Sequence, residues 1–450
     1  MAKTAAKKKE IPASGFASRP VKKFGGRCTV PGDKSISHRA LMLSSQAIGA
    51  SRITGLLESE DVIHTAGALK LMGVGVEKLK DGAWEVEGLG TGGLQEPAGL
   101  LDMGNSGTAC RLMMGLVTPY PYSFTFDGDA SLRKRPMKRV IMPLEMIGAE
   151  VVTREGGRLP LTLKGTAEPL PITYELPVAS AQVKSAVMLA GLNTPGITTV
   201  VETRPTRDHT ERMMRFFGAD VKVTKKDGRT TIAVTGQPEL KGRDISIPAD
   251  PSSAAFLVVA ALLVPKAELT VTNVCINPER IGLYKTLIEM GGDIEFKNKR
   301  HVAGEEVADI IARASDLKGI KVPAERAPSM IDEYPILAVA ASKAKGTTRM
   351  LGLEELKVKE SDRLSAIVEG LKANGVKAKA GADSLEVSGG EIPGGGMVST
   401  HMDHRIAMSF LVMGMMAKKA VKVDDVAMIQ TSFPGFLALM NRLGASMEAA

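Results

Sequence analysis

The stretch LEMIGAEVVT, residues 144–153, changes character at its centre. A helical segment ends on an apolar residue, a glycine follows, and a short strand-like run begins. A chain that leaves a helix and turns directly into a strand needs a residue at positive φ, which glycine adopts without a Cβ penalty. The pattern occurs six times: at Gly148 here, at Gly73 in LKLMGVGVEKL, Gly218 in RFFGADVKVT, Gly291 in IEMGGDIEF, Gly375 in LKANGVKAKA and Gly444 in NRLGASMEA. Successive glycines stand 69 to 84 residues apart, so six units fill the 450 residues. Units of that size are too long for solenoid repeats of ~20–50 residues. They read as compact subdomains, three plus three, with the break near Pro248 to Pro251.

Each unit holds a second helix that opens in a small-polar loop and then turns apolar on nearly every side. The six are GDKSISHRALMLSSQA, GNSGTACRLMMGLV, ASAQVKSAVMLAGL, DPSSAAFLVVAALL, MIDEYPILAVAAS and THMDHRIAMSFLVMG. Helices of this composition belong in a core. Between them lie β-branched runs such as SFTFDG, GITTVVE, AELTVTNV and GTTRMLG. A unit thus reads strand, helix, strand, helix, strand, strand, and the fold class is α/β.

Composition narrows the function. Hydrophobic residues at 44% and charged residues at 24% are those of a globular protein. The apolar run Ala254–Val264 covers 11 residues, short of the ~20 a membrane helix needs, so no membrane association is expected. Cys28, Cys110 and Cys275 form neither a disulfide framework nor a zinc pattern, and read as reduced thiols of a cytoplasmic protein. The net charge of +8 admits nucleic acid or small anions as partners. With 11 Phe, 5 Tyr and 1 Trp there is little from which to build base-stacking platforms, so small anions are favoured over nucleic acid.

The polar residues gather at the helix starts, where unpaired N–H groups attract anions. PGDKSISHR (31–39) offers Lys34, Ser35, Ser37 and Arg39 without the spacing of a P-loop. GNSGTACR (104–111) offers Gly107, where a ligand can approach the backbone, and Thr108. GDASLRKRPMKR (128–139) is strongly basic, with Pro136 after Arg135 fitting a helix start. ASAQVKSA brings Ser180 and Gln182, and TRDHTER brings Arg207. The fifth unit is acidic instead: Asp332 and Glu333 in MIDEYP, and Lys359, Glu360, Asp362 and Arg363 in KVKESDR. Among cations a carboxylate is a poor anion ligand and a plausible general acid or base; Asp362 is expected to cap a helix. HMDHR (401–405) has two histidines three apart, yet no third metal ligand is evident, and Arg405 is read as an anion ligand.

Taken together, PGDKSISHR, GNSGTACRL, DASLRKRPM, ASAQVKSAV, TRDHTE, APSMIDEYP, LKVKESDRL and HMDHRIAMS resemble the 5-enolpyruvylshikimate-3-phosphate synthase family in its class II form. Eight separated motifs stand in the family's order, from about Arg27 to the C-terminus. The resemblance implies a two-domain inside-out α/β barrel of six βαβαββ repeats, three per domain, with the active site in the interdomain cleft. It implies a flexible basic tail at residues 1–20, an N-terminal domain at 33–247, and a C-terminal domain at 21–32 plus 248–450. The reaction implied is transfer of the enolpyruvyl group of phosphoenolpyruvate to the 5-hydroxyl of shikimate 3-phosphate, with release of phosphate. Lys34, Gly107, Arg135, Gln182, Arg363 and Arg405 would contact phosphoenolpyruvate. Lys34, Ser35, Arg39, Ser180, Ala181, Gln182, Arg207, Asp332 and Lys359 would contact shikimate 3-phosphate. Asp332 would take the hydroxyl proton, and Glu360, with Lys34 assisting, would protonate the methylene carbon. No metal and no organic cofactor is implied, and a monomer is expected. The related UDP-N-acetylglucosamine enolpyruvyl transferases carry a reactive cysteine on the basic loop, and residues 127–139 contain none. Two positions depart from relatives: glyphosate-tolerant members have Ala where Gly107 stands, and some carry a Lys near Thr431 and Ser432.

Overall fold

The computed structural model describes residues 15–450. Among these, the twelve α-helices are α1 (Lys34–Ser45), α2 (Glu60–Leu71), α3 (Gly107–Val117), α4 (Lys138–Ile147), α5 (Ala181–Leu192), α6 (His209–Phe217), α7 (Pro251–Leu263), α8 (Gly282–Glu289), α9 (Tyr334–Lys343), α10 (Arg363–Ala373), α11 (His404–Gly414) and α12 (Phe436–Arg442). The six punctuating glycines all take positive φ, from 77° at Gly375 to 121° at Gly148. The described residues form six sheets. In the second, Leu101–Asp102 runs parallel to Ser123–Asp127, which pairs antiparallel with Arg158–Lys164, itself antiparallel to Glu150–Arg154. The third and fifth units repeat that order.

The apolar helices lie inside and the sheets outside, giving the expected two-domain inside-out α/β arrangement. Helix α3 packs on both α1 and α5, while α7, α9 and α11 pack on one another. All 13 residues of α7 are buried. Sheet strands bury alternate residues and show the others to solvent, as in Arg158–Lys164. Two hydrophobic cores result. One draws on residues 36–247 together with Cys275, the other on residues 24–30 and 249–447. Cys110 is part of the first core and all three cysteines are buried free thiols. No helix among the described residues is long and apolar enough to cross a membrane.

The units are not closed in sequence order. Gly25–Cys28 precedes α1 yet pairs parallel with Glu268–Cys275 of the fourth unit. Ile245–Ser246 precedes α7 yet pairs parallel with Ala47–Thr54 of the first. Each half therefore borrows its first strand across the connection, and the chain crosses between halves twice. At the crossing the two segments form a short ladder: Asp33 N–H donates to Pro248 O at 2.8 Å, and Asp250 N–H to Pro31 O at 2.9 Å. A Cβ on Gly32 would lie 2.1 Å from Gly55 O, so only glycine fits there.

The expected flexible tail at residues 1–20 needs correction at its end. Phe16–Ser18 is a strand held antiparallel between Val421–Val423 and Met447–Ala449. The last unit has only one strand after α12, and the N-terminal strand supplies the place beside it. The tail's first 14 residues lie outside the described ones.

Helices α3 and α5 approach so closely that a Cβ on Gly115 would fall 2.2 Å from Ala186 O. Gly115→Ala is expected to lower stability by about 1–3 kcal/mol through overpacking, read as a shift of the urea midpoint. An unshifted midpoint would show that these helices can separate freely.

Candidate active site

Three of the anticipated cations occupy the first turn of a helix, next to an aspartate cap. Lys34 opens α1 after Asp33, Arg363 opens α10 after Asp362, and Arg405 is the second residue of α11 after Asp403. A cation is disfavoured at the positive end of a helix dipole. The cap carboxylates offset this: Asp33, Asp362 and Asp403 each accept a backbone N–H, from Ile36, Ser365 and Arg405. Asp362 thus plays the capping role expected of it.

Around Asp332 the two halves meet. Arg207 Nη2, from the first half, donates to Asp332 Oδ2 at 2.7 Å. Arg363 Nη1 donates to Oδ1 at 3.2 Å, its Nη2 pairs with Glu360, and its Nε bonds Asp403 at 2.8 Å. Arg405 Nη1 donates to the Asp332 carbonyl at 3.2 Å and lies 3.7 Å from Glu333. Burial alone would raise the Asp332 pKa, but Arg207, Arg405, Lys359 and Arg363 hold it well below the usual carboxylate range. Glu360 is held down in the same way, against its own burial, by Arg363 and Arg135. Burial lowers the Lys359 ammonium, helped by Arg363 and Arg207 and opposed by Asp332. Arg363 is fully buried, and its three carboxylate neighbours outweigh desolvation and stabilise its charge.

A second cluster lies around Gly107. A Cβ there would meet Arg111 Nη1 at 2.8 Å and Arg135 Nη1 at 3.3 Å. Arg135 donates to Asn105 O, Asn105 Oδ1 and Ser131 Oγ, and Arg111 to Gln182 Oε1 at 2.8 Å and to Pro136 O. Gln182 in turn donates to Thr108 Oγ1. Neither guanidinium forms an ion pair among the described residues, so two positive charges that feel Glu360 without touching it flank one bare backbone position. Burial brings the Arg111 pKa down to about 10. Ser131 Oγ donates to Glu360 O at 3.4 Å, and Arg139 meets Glu355 at 3.4 Å. These contacts carry the basic loop across to the second half.

The remaining anticipated residues divide. Lys34 is held by Asp61, and its own N–H bonds Asp250. Ser180 caps α5 by accepting from Val183 N–H, with Ala181 opening the helix beside it. Arg39 is 3% exposed. It donates to Thr210 Oγ1, Ser185 Oγ and the Ser35 carbonyl, which leaves two of its five N–H groups unused. Thr431 and Ser432 are buried, and Thr431 Oγ1 is 3.4 Å from His404 Nδ1. His401 is exposed beside Glu369 while His404 is buried, so the two histidines of HMDHR face different surroundings. Among the described residues there is no group of three or more His, Cys, Asp or Glu placed to hold a metal ion.

Sequence reasoning passed over Arg111 and Asp61, named Glu333 without giving it a part in the site, and quoted Asp403 only within HMDHR. Arg111 stands four residues after Gly107 on α3, one helical turn away. That spacing in a helix otherwise apolar was the available signal. Asp61 and Asp403 had none, because their partners are distant in sequence or shared with a cap.

The whole is a cluster of cations around Asp332, Glu333, Glu360 and Asp403, set where the two halves of an enolpyruvyl transferase fold meet. The structure of the enolpyruvyl transferase NikO from Streptomyces tendae matches it with TM-score 0.77 at 15% identity, over 97% of this chain and 99% of that one, which speaks for the fold. The family model for EPSP synthase (3-phosphoshikimate 1-carboxyvinyltransferase) matches residues 18–440, and the chain belongs to that family. The 3-phosphoshikimate 1-carboxyvinyltransferase of Parvibaculum lavamentivorans is 61% identical, covering 96% of this chain and 97% of its own. That of Paramagnetospirillum magneticum is 60% identical, with 97% and 99% covered. An EPSP synthase structure from Acinetobacter baumannii superposes with TM-score 0.86 at 42% identity, covering 97% and 99%.

Buried His404 has its pKa pushed down to about 3, by desolvation first and then by Arg405 and Lys34 against the opposing Asp403. Between its ordinary 6.5 and 3 the unfolded chain takes up a proton that the folded chain refuses. The contribution is therefore intact above pH 6.5 and is lost as pH falls toward 3. Urea melts from pH 7 to 4 should show a shallower acid loss in His404→Asn, by at most ~1.4 kcal/mol per pH unit. Equal slopes would mean that the imidazole is protonated in the fold.

Proposed function

We infer that the cleft performs the reaction of its family: the enolpyruvyl group of phosphoenolpyruvate passes to the 5-hydroxyl of shikimate 3-phosphate, and phosphate is released. The observation that carries this is the pairing of Arg207 and Arg363 on one carboxylate, Asp332, beside the unpaired Arg111 and Arg135. Each substrate brings a phosphate of about −2 and a carboxylate. Such ligands complete a cation-rich cleft through charge-assisted hydrogen bonds.

Gly107, Arg135, Gln182, Lys34, Arg363 and Arg405 surround phosphoenolpyruvate in this reading, and Arg111 joins Arg135 beside Gly107. Ser35, Ser180, Ala181, Gln182, Arg207 and the free N–H groups of Arg39 receive shikimate 3-phosphate, with Lys34, Lys359 and Asp332 near its hydroxyls. Asp332 accepts the 5-hydroxyl proton as the oxygen attacks the substituted carbon of phosphoenolpyruvate. Glu360 delivers a proton to the methylene carbon, with Lys34 in support. The tetrahedral adduct then expels phosphate toward the fixed cations and loses a proton from its methyl group.

Both carboxylates are held ionised while the cations of the protein, arginines above all, are the charges that face them. Incoming anions take over those arginines, and the adjacent negative charge raises the proton affinity of Asp332 and Glu360. Proton transfer is thereby tied to occupation of the site.

Finer points follow from the same residues. The eight motifs as they stand support assignment to class II of the family. Division into 33–247 and 21–32 plus 248–450 is supported by the two separate cores and the exchanged strands. A monomer is proposed because every group of the site comes from one chain. A cytoplasmic setting is proposed on three buried free thiols.

The test is release of inorganic phosphate from phosphoenolpyruvate with and without shikimate 3-phosphate. Release that requires both substrates is expected; none with both present would overturn the assignment. In the same assay Glu360→Gln should slow turnover by ~10²–10⁴, and near-normal turnover would move the proton donor elsewhere. Arg135→Ala should weaken phosphoenolpyruvate binding by roughly 2–5 kcal/mol, and unchanged affinity would remove it from the site.

A further inference from the structure

The double crossing ends, on each side, in an aspartate that caps the first helix of a half. Asp33 caps α1 of the first half and Asp250 caps α7 of the second. One guanidinium, that of Arg280, lies between the two caps. Its Nη1 donates to Asp33 Oδ2 at 2.7 Å and its Nη2 to Asp250 Oδ1 at 3.0 Å. The other hydrogens of these nitrogens reach His209 Nε2 at 3.2 Å and Ser252 Oγ at 3.1 Å. An arginine cannot accept, so His209 Nε2 is the acceptor, and His209 Nδ1 faces Glu305 at 2.6 Å. Arg280 is 3% exposed. A buried charge bonded through both terminal nitrogens, with its Nε alone left without a partner, is costly to place, and the cost is met only by a fixed geometry.

What Arg280 touches leads into the cleft on both sides. Lys34 follows Asp33 directly, and its N–H is bonded to Asp250 Oδ2 at 3.1 Å. Ser252 donates to Glu333, which lies 3.7 Å from Arg405 and adjoins Asp332. The same side chain thus touches the cap that begins the Lys34 helix and the hydroxyl that leads to the Asp332 segment. His209 opens α6, two residues after Arg207.

We propose that Arg280 is a positioning residue for the reaction: by joining the Asp33 and Asp250 caps it sets Lys34 and Arg207 of one half in register with Asp332 and Arg405 of the other. It touches no substrate. A lysine at the same place carries the charge on a single nitrogen and lacks the planar fork that spans two carboxylates. The proposal rests on the reading of the cleft given above.

The test compares Arg280→Lys and Arg280→Met with the parent enzyme in the phosphate-release assay, with thermal melts on the same preparations. Arg280→Met leaves two buried carboxylates without their cation and is expected to melt markedly lower. Arg280→Lys is expected to melt near the parent yet to show a kcat reduced roughly 10–100-fold, since misplacement by about 1 Å carries that penalty. Its KM for phosphoenolpyruvate, whose cations are divided between Lys34 and Arg135 of one half and Arg363 and Arg405 of the other, should rise about tenfold, with the KM for shikimate 3-phosphate, whose ligands lie mostly in the first half, changed less. Arg280→Lys with kcat and both KM values within about twofold of the parent (under ~0.5 kcal/mol) would overturn the proposal. An Arg280→Lys chain that fails to fold, or loses activity only in step with its folded fraction, would assign Arg280 to stability alone and overturn it equally. Parent enzyme that releases no phosphate in this assay refutes the underlying reading instead, so the two failures are distinct.

Discussion

Two antiparallel segments, Pro31–Asp33 and Pro248–Asp250, hold the halves of this molecule together, and the cleft is registered to them. Their backbone bonds are few, but each half has given its first strand to the other side of the connection. A half cannot complete its sheets without the crossing. The helices that begin at the crossing, α1 and α7, are therefore placed by the same hydrogen bonds that join the halves, and Lys34 is the first residue beyond one of them.

The site's electrostatics follow from a conflict that the fold tolerates. Lys34, Arg363 and Arg405 sit where the helix dipole repels them, and the arrangement persists because Asp33, Asp362 and Asp403 cap the same turns. A local rule broken at several helix starts, with compensation by neighbouring caps, is how a binding surface differs from an ordinary helix end. The cleft then holds its own carboxylates in ionised form through its arginines until anionic ligands compete for them. Binding and proton transfer share one set of charges.

Much of this was legible in the chain. The six glycines announced the units because a helix-to-strand turn admits few other residues, and all six take positive φ. Helix α7 was recognisable as core because no polar residue interrupts Ala254–Val264. The candidate residues Asp332, Glu360, Arg207, Arg363 and Arg405 were marked by motifs, and they do come together. Arg111 was not singled out, since one arginine on an apolar helix looks like many others. Phe16–Ser18 was assigned to a tail because a three-residue strand has no periodicity to read; its partners lie some 400 residues away at Val421–Val423 and Met447–Ala449.

Local chemistry determined the repeats, the alternation of helix and strand, the buried helices and the residue types of the loops, since each depends on dihedral preference or on the burial of neighbours in sequence. Tertiary structure alone decided which strand completes which sheet and which carboxylate meets which guanidinium. Arg280 shows the difference. Nothing in NPERIGL marks its arginine, because its partners Asp33 and Asp250 are brought to it only when the chain crosses twice between the halves.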